Sequence, residues 1–436
     1  MSDLVIEPIR KPFSLTLTPP GSKSLTNRAL VCAALAGGES TLSNVLFADD
    51  TEAMLNNLGA LGFELAIDRA AKTVAVKGQS GEIAARQAEL FCKNSGTTIR
   101  FLSALCALGK GRYVLDGNER MRQRPIGPLM DMLKNLGVRW RYVMSEGYPP
   151  IEILADGLPG GFVRYGSESS SQFLSAILLA SPYARNELEV DLDGPQTSWP
   201  YIAMTMQLMD EFGVTAELYR DPDTGEPKKI HIPRHRYQPT QYAIEPDASN
   251  ASYFLAAAAL HPGSKITVER LGKKSLQGDV GFADILHQMG AGMVFGKDFI
   301  TIMGAENLTG LDVNLVDMPD TAQTLAVVAL FAEGPTTIRG LHTLRVKETD
   351  RIAALATELA KFEADVEVED DAITINPPEK VRHANVDTYD DHRMAMSFAL
   401  AGTKVSGVRI NDIECVNKTY PDFFADLAQL NGDKTT

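Results

Sequence analysis

A pattern that recurs six times constrains this 436-residue chain more than any other feature. Each copy is a short polar tract followed by an apolar helical run rich in Ala and Leu. Successive copies start 72, 74, 79, 73 and 70 residues apart, at Ser22, Asn94, Glu168, Asp247, Asp320 and Asp390. A nearly constant period is the signature of a repeated supersecondary unit. The sequence therefore predicts six units of mixed α/β structure.

A second helical segment follows each copy, and short β-like segments lie between the helices. The second helices begin near Thr51, Ile126, Tyr201, Phe282, Glu348 and Phe423. Their apolar residues recur at i, i+3, i+4 and i+7, which predicts one buried face and one exposed face. The first helices are apolar on most sides, so we expect them to be buried. Alternating segments such as KITVERLG, which are rich in Val, Ile and Thr, predict half-exposed strands.

The length of the chain favours two domains, because a single hydrophobic core rarely serves so many residues. Two breaks in regular structure suggest where the chain passes between them: TPPG at 18–21 and the proline-containing stretch RHRYQPTQYAIEPD. We expect one domain to span residues 21–242, with the first three units. The other domain would combine residues 1–20 with 243–436, so that a strand near 12–17 joins the C-terminal half.

Composition excludes several classes of protein. The chain contains no run of eighteen apolar residues, so no membrane span is predicted. The N-terminus lacks a signal-peptide pattern, so we expect a cytoplasmic protein. The net charge of −14 argues against a nucleic-acid surface. Four cysteines without a CxxC pair predict reduced, buried thiols.

Buried helices that begin with polar residues have a chemical consequence. A helix N-terminus carries unpaired N–H groups and a partial positive charge, so it favours anions. Three such N-termini in each half of the chain, facing across a cleft, would form an anion site. The basic residues near these N-termini would then form a positively charged site in a chain whose net charge is −14.

The first motif, Ser22-Lys23-Ser24 with Arg28, offers hydroxyls, an ammonium and a guanidinium at a helix start. These groups suit a phosphate or a carboxylate. The alternative is an ordinary serine cap with solvated charges. The motif lacks the GxxxxGK[ST] pattern of a Walker P-loop.

The second and third motifs offer comparable groups. Asn94-Ser95-Gly96-Thr97 contains a glycine that lets a ligand approach the backbone. It is followed by Arg120, Arg122 and Arg124, which alternatively form a solvated basic face. Hydroxyls and an amide in 169–172 suit a polyol phosphate, although a flexible serine-rich cap is the alternative. Ser198, Trp199 and Tyr201 follow a strand end and could close over the same ligand.

The C-terminal half carries acids among bases. Asp320 begins the fifth buried helix, where a simple N-cap is the alternative. If the stretch from Lys347 is helical, Lys347 and Arg351 lie four residues apart on one face, with Glu348 adjacent to that face. A charged helix surface is the alternative for these residues. Asp390-Asp391-His392-Arg393 opens the sixth helix, and Lys418 precedes TYP.

Taken in order, these motifs closely resemble those of the 5-enolpyruvylshikimate-3-phosphate synthase family across nearly the whole chain. The motifs are GSKSxxNRAL, NSGTxxR, QRPIGPL, SSSQFLSA, DMPDxAQT, RVKETDRI, DHRMAM and NKTYPDF. The resemblance implies an α/β fold, a two-domain inside-out α/β barrel in which each domain has three βαβαββ-like repeats around buried helices. It also implies two substrates, phosphoenolpyruvate and shikimate 3-phosphate, within the shikimate pathway.

The resemblance further implies residue roles. Shikimate 3-phosphate would be bound by Lys23, Ser24, Arg28, Ser170, Ser171, Gln172, Ser198, Tyr201, Asp320, Thr343 and Lys347. Phosphoenolpyruvate would be bound by Lys23, Asn94, Gly96, Arg124, Gln172, Arg351, Arg393 and Lys418. Asp320 would take the proton from the 5-hydroxyl, Glu348 would handle the methyl-group proton, and Lys23 would assist. The addition–elimination chemistry requires no metal, redox group or other cofactor, and we expect a monomer.

Some positions depart from the family pattern. Phe101 stands where proline is common, Ser95 replaces alanine, Thr343 replaces asparagine and Trp199 replaces a basic residue. Gly96 is retained, so we hypothesise that glyphosate competes with phosphoenolpyruvate.

Three other classes of protein are alternatives. A UDP-N-acetylglucosamine enolpyruvyl transferase should carry Asn after the first lysine and a reactive Cys near Arg120, but Ser24 follows Lys23 and no Cys lies between Cys106 and Cys415. An RNA 3′-phosphate cyclase-like enzyme should be more basic and should carry a nucleotide-accepting His. A non-enzymatic binding protein of the same fold would not need Asp320, Glu348 and Lys23.

Overall fold

The computed structural model describes residues 2–166 and 170–432. Within these ranges the chain forms twelve α-helices separated by short strands. The helices are α1 (Lys23–Leu35), α2 (Asp49–Ala60), α3 (Gly96–Ala107), α4 (Gly127–Asn135), α5 (Gln172–Ala180), α6 (Trp199–Glu211), α7 (Ala248–Leu260), α8 (Phe282–Gln288), α9 (Ala322–Ala329), α10 (Arg351–Ala360), α11 (His392–Lys404) and α12 (Phe423–Ala428).

Five of the sheets in the described ranges contain four strands and share one topology. They consist of β3 (Glu39–Ser43), β4 (Glu64–Asp68), β5 (Thr73–Lys77) and β14 (Gln241–Ala243); β6 (Gln87–Phe91), β7 (Lys110–Asp116), β8 (Arg139–Tyr142) and β9 (Ile151–Asp156); β10 (Gly161–Tyr165), β11 (Leu188–Leu192), β12 (Glu217–Arg220) and β13 (Pro227–Ile232); β2 (Ser14–Leu17), β15 (Lys265–Glu269), β16 (Gly292–Phe295) and β17 (Phe299–Met303); and β19 (Asp312–Asn314), β21 (Thr336–Arg339), β22 (Asp365–Val368) and β23 (Ala372–Asn376). Each sheet has one parallel pair at an edge and two antiparallel pairs.

Two smaller sheets complete the described strands. One contains β1 (Leu4–Val5), β24 (Asn385–Val386) and β25 (Arg409–Ile410), and the other contains β18 (Leu308–Thr309) and β20 (Ala332–Glu333). In the first, β24 and β25 are parallel and β1 is antiparallel to β25. The chain is therefore a mixed α/β protein built from many small mixed sheets.

The chain divides into two compact units, Gly21–Ile244 and Met1–Pro20 with Glu245–Thr436. The N-terminal strand β2 pairs in parallel with β15, with Ser14 opposite Lys265, so it lies with the C-terminal half as the sequence predicts. Strand β14 pairs with β3, with Tyr242 opposite Leu42, and this keeps residues 241–243 in the first unit.

The predicted buried helices are confirmed at all six copies of the pattern. In α7 every residue is buried, and in α3 all twelve residues are buried. Four of the six begin with a side-chain cap that accepts a main-chain N–H bond, at Ser22, Ser95, Asp247 and Asp391. Such caps satisfy N–H groups that a helix start leaves without partners, and they explain why a polar tract precedes the apolar run at these four helices.

Small polar side chains join the buried helices to one another. In the unit containing residues 245–436, the Ser252 and Thr324 hydroxyls lie 3.1 Å apart, which connects α7 with α9. In the other unit, Asn27 Nδ2 donates to Thr97 Oγ1 over 2.6 Å and connects α1 with α3. These contacts satisfy polar atoms that would be costly to bury alone. They hold the helix starts, and the motifs at those starts, in fixed relation within each unit.

The structure bears on two predictions made from composition, one on the cysteines and one on membrane spans. All four cysteines are buried and without disulfides, as predicted, and burial raises the pKa of the Cys32 thiol to about 12. Among the helices of residues 2–166 and 170–432, none is both long and apolar enough to cross a membrane.

Candidate active site

The predicted site residues lie in two clusters, one in each unit. The first cluster comprises the starts of α1, α3, α5 and α6 together with Arg124. The second cluster comprises Asp320, Lys347, Glu348, Arg351, Asp391, Arg393 and Lys418.

Lys23 is the first residue of α1, directly after the Ser22 cap. Its ammonium lies 3.3 Å from Oδ2 of Asp50, and the two side chains are 13% and 4% exposed. Asp50 lies in the first turn of α2, outside the motifs from which the site residues were predicted. The Asp50 carboxylate therefore balances the charge of the Lys23 ammonium, which is largely shielded from solvent.

Arg28 lies in the interior of the first cluster rather than at its surface. Its guanidinium donates to Thr205 Oγ1 over 2.7 Å, to Ser24 O over 3.0 Å, and to Ser175 Oγ and Tyr201 O over 3.3 Å. These bonds use four of the five N–H donors of a guanidinium. Burial lowers the pKa of Arg28 to about 10, which leaves it protonated at neutral pH. It therefore ties α1 to α5 and α6 and brings a buried positive charge to their starts.

Arg124 and Gly96 approach each other closely. Arg124 Nη1 donates to the carbonyl oxygen of Asn94 over 2.9 Å and to its side-chain Oδ1 over 3.2 Å. A Cβ atom on Gly96 would lie 2.7 Å from Arg124 Nη2 and 3.2 Å from Arg100 Nη1. Two guanidinium groups thus flank the space that the absence of a side chain leaves open at the N-terminus of α3. This arrangement suits an anion.

Arg100 joins three of the predicted segments, although sequence reasoning did not assign it a role. It donates to Gln172 Oε1 over 2.7 Å and to the carbonyl of Pro125 over 3.0 Å, and it reaches Ser170 Oγ at 3.5 Å. Its guanidinium also stacks on Phe173, 4.8 Å from the ring centre. One sequence signal could have found it, because Arg100 follows Gly96 by four residues as Arg28 follows Ser24.

The starts of α5 and α6 supply the remaining residues of the first cluster. Ser170 and Ser171 are buried, and Ser170 Oγ accepts the main-chain N–H of Gln172 over 3.3 Å. Ser169 lies outside the described residues. Ser198 precedes α6 with φ 54° and ψ 44°, a left-handed conformation that is uncommon for serine. Strained backbone of this kind is found preferentially at functional sites.

Of the three arginines in the predicted basic run, the structure brings one into the cluster. Arg122 pairs with Asp116 in an exposed position, and the half-buried Arg120 donates to Gln123. Arg124 is buried, with 3% of its surface exposed. The solvated alternative therefore describes Arg122.

Asp320 is the centre of the second cluster. Its Oδ2 accepts from Arg393 Nη2 over 2.7 Å, and its Oδ1 accepts from Arg351 Nη1 over 3.2 Å. Lys347 Nζ lies 3.9 Å from the same Oδ1. Asp320 belongs to a 3-10 turn, Pro319–Thr321, and it does not cap α9. The N-cap alternative is therefore wrong for this residue.

Glu348 is the second carboxylate of this cluster. Its Oε2 accepts from Arg351 Nη2 over 2.8 Å, and its Oε1 lies 3.9 Å from Lys418 Nζ. Both Glu348 and Lys418 are buried. A carboxylate in this position has little solvent around it and has cations on both oxygens.

The prediction that Lys347 and Glu348 lie on a helix with Arg351 is wrong. Helix α10 begins at Arg351, because Asp350 is its N-cap and accepts the N–H of Ala353 over 3.1 Å. Lys347 follows a 3-10 helix, His342–Val346, with an extended ψ of −149°. The contact of Lys347 with Asp320 therefore arises from this non-helical segment.

Arg351 connects the acids of the second cluster. It is 1% exposed, and its Nε donates to Asp391 Oδ2 over 2.7 Å in addition to its bonds to Asp320 and Glu348. Burial by itself would lower the pKa of Arg351, but Asp391, Glu348 and Asp320 together raise it above its ordinary value. The guanidinium stays charged and fixed.

The other residues of the second cluster are also buried. Arg393 donates to the phenol oxygen of Tyr253 over 3.3 Å, and its main-chain N–H is held by Asp391 over 2.9 Å. Thr343 is 2% exposed, and its hydroxyl has no hydrogen-bond partner among residues 2–166 and 170–432. Four cations thus meet three carboxylates in one group, in which Asp320 and Lys347 are half-buried and the other five residues are buried. The local balance is positive in a chain of net charge −14.

No group of three or more His, Cys, Asp or Glu side chains in the described ranges is arranged to hold a metal ion.

Comparison with known proteins identifies the class. The model of the family described as EPSP synthase (3-phosphoshikimate 1-carboxyvinyltransferase) matches residues 8–427. The solved EPSP synthase of Acinetobacter baumannii has 27% identity, a TM-score of 0.79 and 98% coverage of both chains. The enolpyruvyl transferase NikO of Streptomyces tendae shares the fold, with a TM-score of 0.75 at 18% identity, 98% coverage of this chain and 96% of that one. The chain therefore has the fold of the solved EPSP synthase, and NikO has the same fold.

Curated relatives narrow the class. A 3-phosphoshikimate 1-carboxyvinyltransferase of Aliivibrio salmonicida is 45% identical over 435 residues, which covers 99% of this chain and 100% of the relative. Another, of Vibrio vulnificus, is 45% identical and covers 99% of each chain. The chain belongs to the EPSP synthase (3-phosphoshikimate 1-carboxyvinyltransferase) family.

Proposed function

We propose that this chain transfers the enolpyruvyl group of phosphoenolpyruvate to the 5-hydroxyl of shikimate 3-phosphate and releases phosphate. Family membership along the full length supports this activity, which belongs to the biosynthesis of chorismate and the aromatic amino acids. The structural observation that carries the proposal is the second cluster, where Asp320 and Glu348 share the buried Arg351.

In the first step, Asp320 would accept the proton of the 5-hydroxyl as that oxygen attacks C2 of phosphoenolpyruvate. Glu348, which would take up a proton when phosphoenolpyruvate shares its cations Arg351 and Lys418, would deliver that proton to C3, so that the methylene becomes a methyl group. C2 is electrophilic only when C3 is protonated, so acid and base must act together. Each such group contributes roughly 10²–10⁴-fold to the rate. The product of this step is a tetrahedral intermediate.

In the second step, the bond between C2 and the phosphate oxygen breaks, and phosphate leaves with the electron pair. A methyl proton returns to Glu348, and the C2–C3 double bond forms again. The proton on Asp320 leaves with phosphate or solvent. Lys23, paired with Asp50, would stabilise negative charge on the departing phosphate or assist either proton transfer.

Buried cations support the assignment of the anionic parts of the substrates. We propose that phosphoenolpyruvate contacts Lys23, Asn94, Gly96, Arg124, Gln172, Arg351, Arg393 and Lys418. Shikimate 3-phosphate would contact Lys23, Ser24, Arg28, Ser170, Ser171, Gln172, Ser198, Tyr201, Asp320, Thr343 and Lys347. Arg28 would act on it through its one remaining N–H and by holding Ser24 and Tyr201 in place. The Thr343 hydroxyl, which has no hydrogen-bond partner in the described part of the chain, would gain one.

The finer architecture is also part of the proposal. The common topology of five sheets supports an inside-out α/β barrel with three βαβαββ-like repeats in each domain. We propose that the two compact units are these domains and that both contribute residues to one reaction. The expected monomer and the cytoplasmic location stay predictions, to be checked by size-exclusion chromatography with light scattering and by cell fractionation.

One assay tests the function. Purified protein is mixed with phosphoenolpyruvate, and released phosphate is measured without acceptor, with shikimate 3-phosphate, and with UDP-N-acetylglucosamine. Release that depends on shikimate 3-phosphate supports the proposal. Release only with UDP-N-acetylglucosamine would assign the alternative transferase, and no release with either acceptor would favour a binding protein.

A further inference from the structure

The turn that leads into α11 has an unusual backbone. Tyr389 and Asp390 have φ values of 57° and 53°, and the N–H of Asp391 donates to the carbonyl of Thr388 over 2.9 Å. A turn with two central residues at positive φ normally uses Gly, Asn or Asp, because side chains crowd the backbone there. A tyrosine in this conformation requires support from its surroundings.

Glu358 on α10 supplies that support. It is fully buried, and its Oε1 accepts from the Tyr389 hydroxyl over 2.7 Å. Its Oε2 accepts the N–H of Asp387 over 3.0 Å and lies 2.8 Å from Lys361 Nζ. Both oxygens are therefore committed to the turn and to one cation. A buried carboxylate needs hydrogen-bond donors, and these three donors fix the position of the Glu358 side chain.

The position of Glu358 on α10 connects the turn to the second cluster. Glu358 and Arg351 are seven residues apart, so they lie on the same face of α10, about 10 Å apart along its axis. Arg351 binds the Asp391 side chain at one end of the segment, and Glu358 binds the turn at the other. Asp391 in turn holds the main-chain N–H of Arg393. The orientation of Arg351 and Arg393 therefore depends on residues 388–391, which α10 contacts at two points, through Arg351 and through Glu358.

We propose that Glu358 is a positioning residue for phosphoenolpyruvate binding: it holds the 388–391 turn in its strained form and so fixes Asp391, Arg351 and Arg393. This rests on the proposed function, in which these arginines bind phosphoenolpyruvate. Glu358 itself does not touch the substrate.

Hydrogen–deuterium exchange tests the clamp without any assay of activity. Glu358→Gln removes the negative charge and one of the two acceptor oxygens, so the bonds from Asp387, Lys361 and Tyr389 lose their charged acceptor. The amides of Asp387 and Asp391 should then exchange at least about tenfold faster, the effect of one lost hydrogen bond to a charged group. The matched control is Glu152→Gln, which alters another buried carboxylate paired with two cations, Arg112 and Arg141. It should leave these two amides unchanged.

Kinetics test the link to substrate. Glu358→Gln should raise the KM for phosphoenolpyruvate about tenfold and leave the KM for shikimate 3-phosphate within twofold. Glycine adopts positive φ without strain, so Tyr389→Gly should remove the need for the clamp. The double variant, Glu358→Gln with Tyr389→Gly, should therefore recover most of the lost affinity. If Glu358→Gln acted only by lowering the stability of the whole protein, adding Tyr389→Gly would not restore the affinity for phosphoenolpyruvate.

Unchanged exchange at Asp387 and Asp391 would overturn the proposal, whether or not the protein turns over shikimate 3-phosphate. An equal rise in both KM values without rescue would also overturn it. If Glu358→Gln does not fold, Tyr389→Phe replaces it, since that change removes one hydroxyl from a side chain that is 39% exposed. It should raise the exchange rate of the same amides and the KM for phosphoenolpyruvate in the same direction.

Discussion

Arg393 Nη2 donates to Asp320 Oδ2 over 2.7 Å, so a cation at the start of α11 is bound to the acid that precedes α9. The two residues are 73 positions apart in the chain. Before any substrate binds, the proposed base and a proposed phosphoenolpyruvate ligand are therefore each other's partner. An incoming anion must share Arg393 with Asp320, and this couples substrate binding to the environment of the base.

Replacing Asp320 with Asn should remove the proton acceptor while keeping the shape of the side chain. We expect kcat to fall by about 10²–10⁴-fold, while shikimate 3-phosphate still binds. Initial rates of phosphate release and calorimetric titration measure these two quantities. Asp312→Asn is the control, because it changes an exposed aspartate paired with Arg339 and should keep full activity. A variant at 320 with near-normal kcat would remove Asp320 from the role of base.

A methyl group at position 96 should narrow the space beside Arg124. Because the new Cβ would lie 2.7 Å from Arg124 Nη2, we expect Gly96→Ala to raise the KM for phosphoenolpyruvate by about tenfold or more. Inhibition by glyphosate, measured in competition with phosphoenolpyruvate, should weaken in parallel. In the control Gly59→Ala, a Cβ meets no described atom within 4 Å, so both constants should stay unchanged. Wild-type protein that resists millimolar glyphosate would refute the competition hypothesis.

Arg100 should act through Gln172. Removing its side chain in Arg100→Ala leaves Gln172 Oε1 without its 2.7 Å donor, so we expect kcat/KM to fall by about 10- to 100-fold. The double variant with Gln172→Ala should lose much less than the two single effects combined, because the residues are in contact. Arg112→Ala, which removes an arginine from an exposed strand position, is the control. Additive effects of the two changes would show that Arg100 acts independently.

His231 should make stability depend weakly on pH. It lies between Glu187 and Glu217, 3.2 Å from each. Burial by itself would lower the pKa of His231, but the two carboxylates raise it above its ordinary value. The stabilisation is therefore present below pH 6.5 and is lost as the pH rises through the raised pKa. Because the group is partly solvated, Tm should fall by no more than about 2 °C. Thermal melts of His231→Asn at several pH values should lack this step.

Much of the fold follows from local pattern in the sequence. The six buried helices begin where polar tracts meet apolar runs, because capping and periodicity act within a few residues. The strand near 12–17 was predictable for a similar reason, as TPPG interrupts any regular element after it. The motifs also indicated the acids and bases of the second cluster and the bases Lys23, Arg28 and Arg124 of the first.

The tertiary structure decided which of these groups meet. Arg351 binds Asp391 across forty residues, and Arg100 binds Gln172 across seventy-two. Asp50 and Glu358 have no motif of their own, and only the packing of α2 and α10 brings them to Lys23 and to Tyr389. Periodicity and capping are local properties of a chain, whereas an ion pair depends on where distant backbone segments place two side chains. That is why the sequence alone determined the helix starts and their chemistry, and why only the folded structure decided the partners.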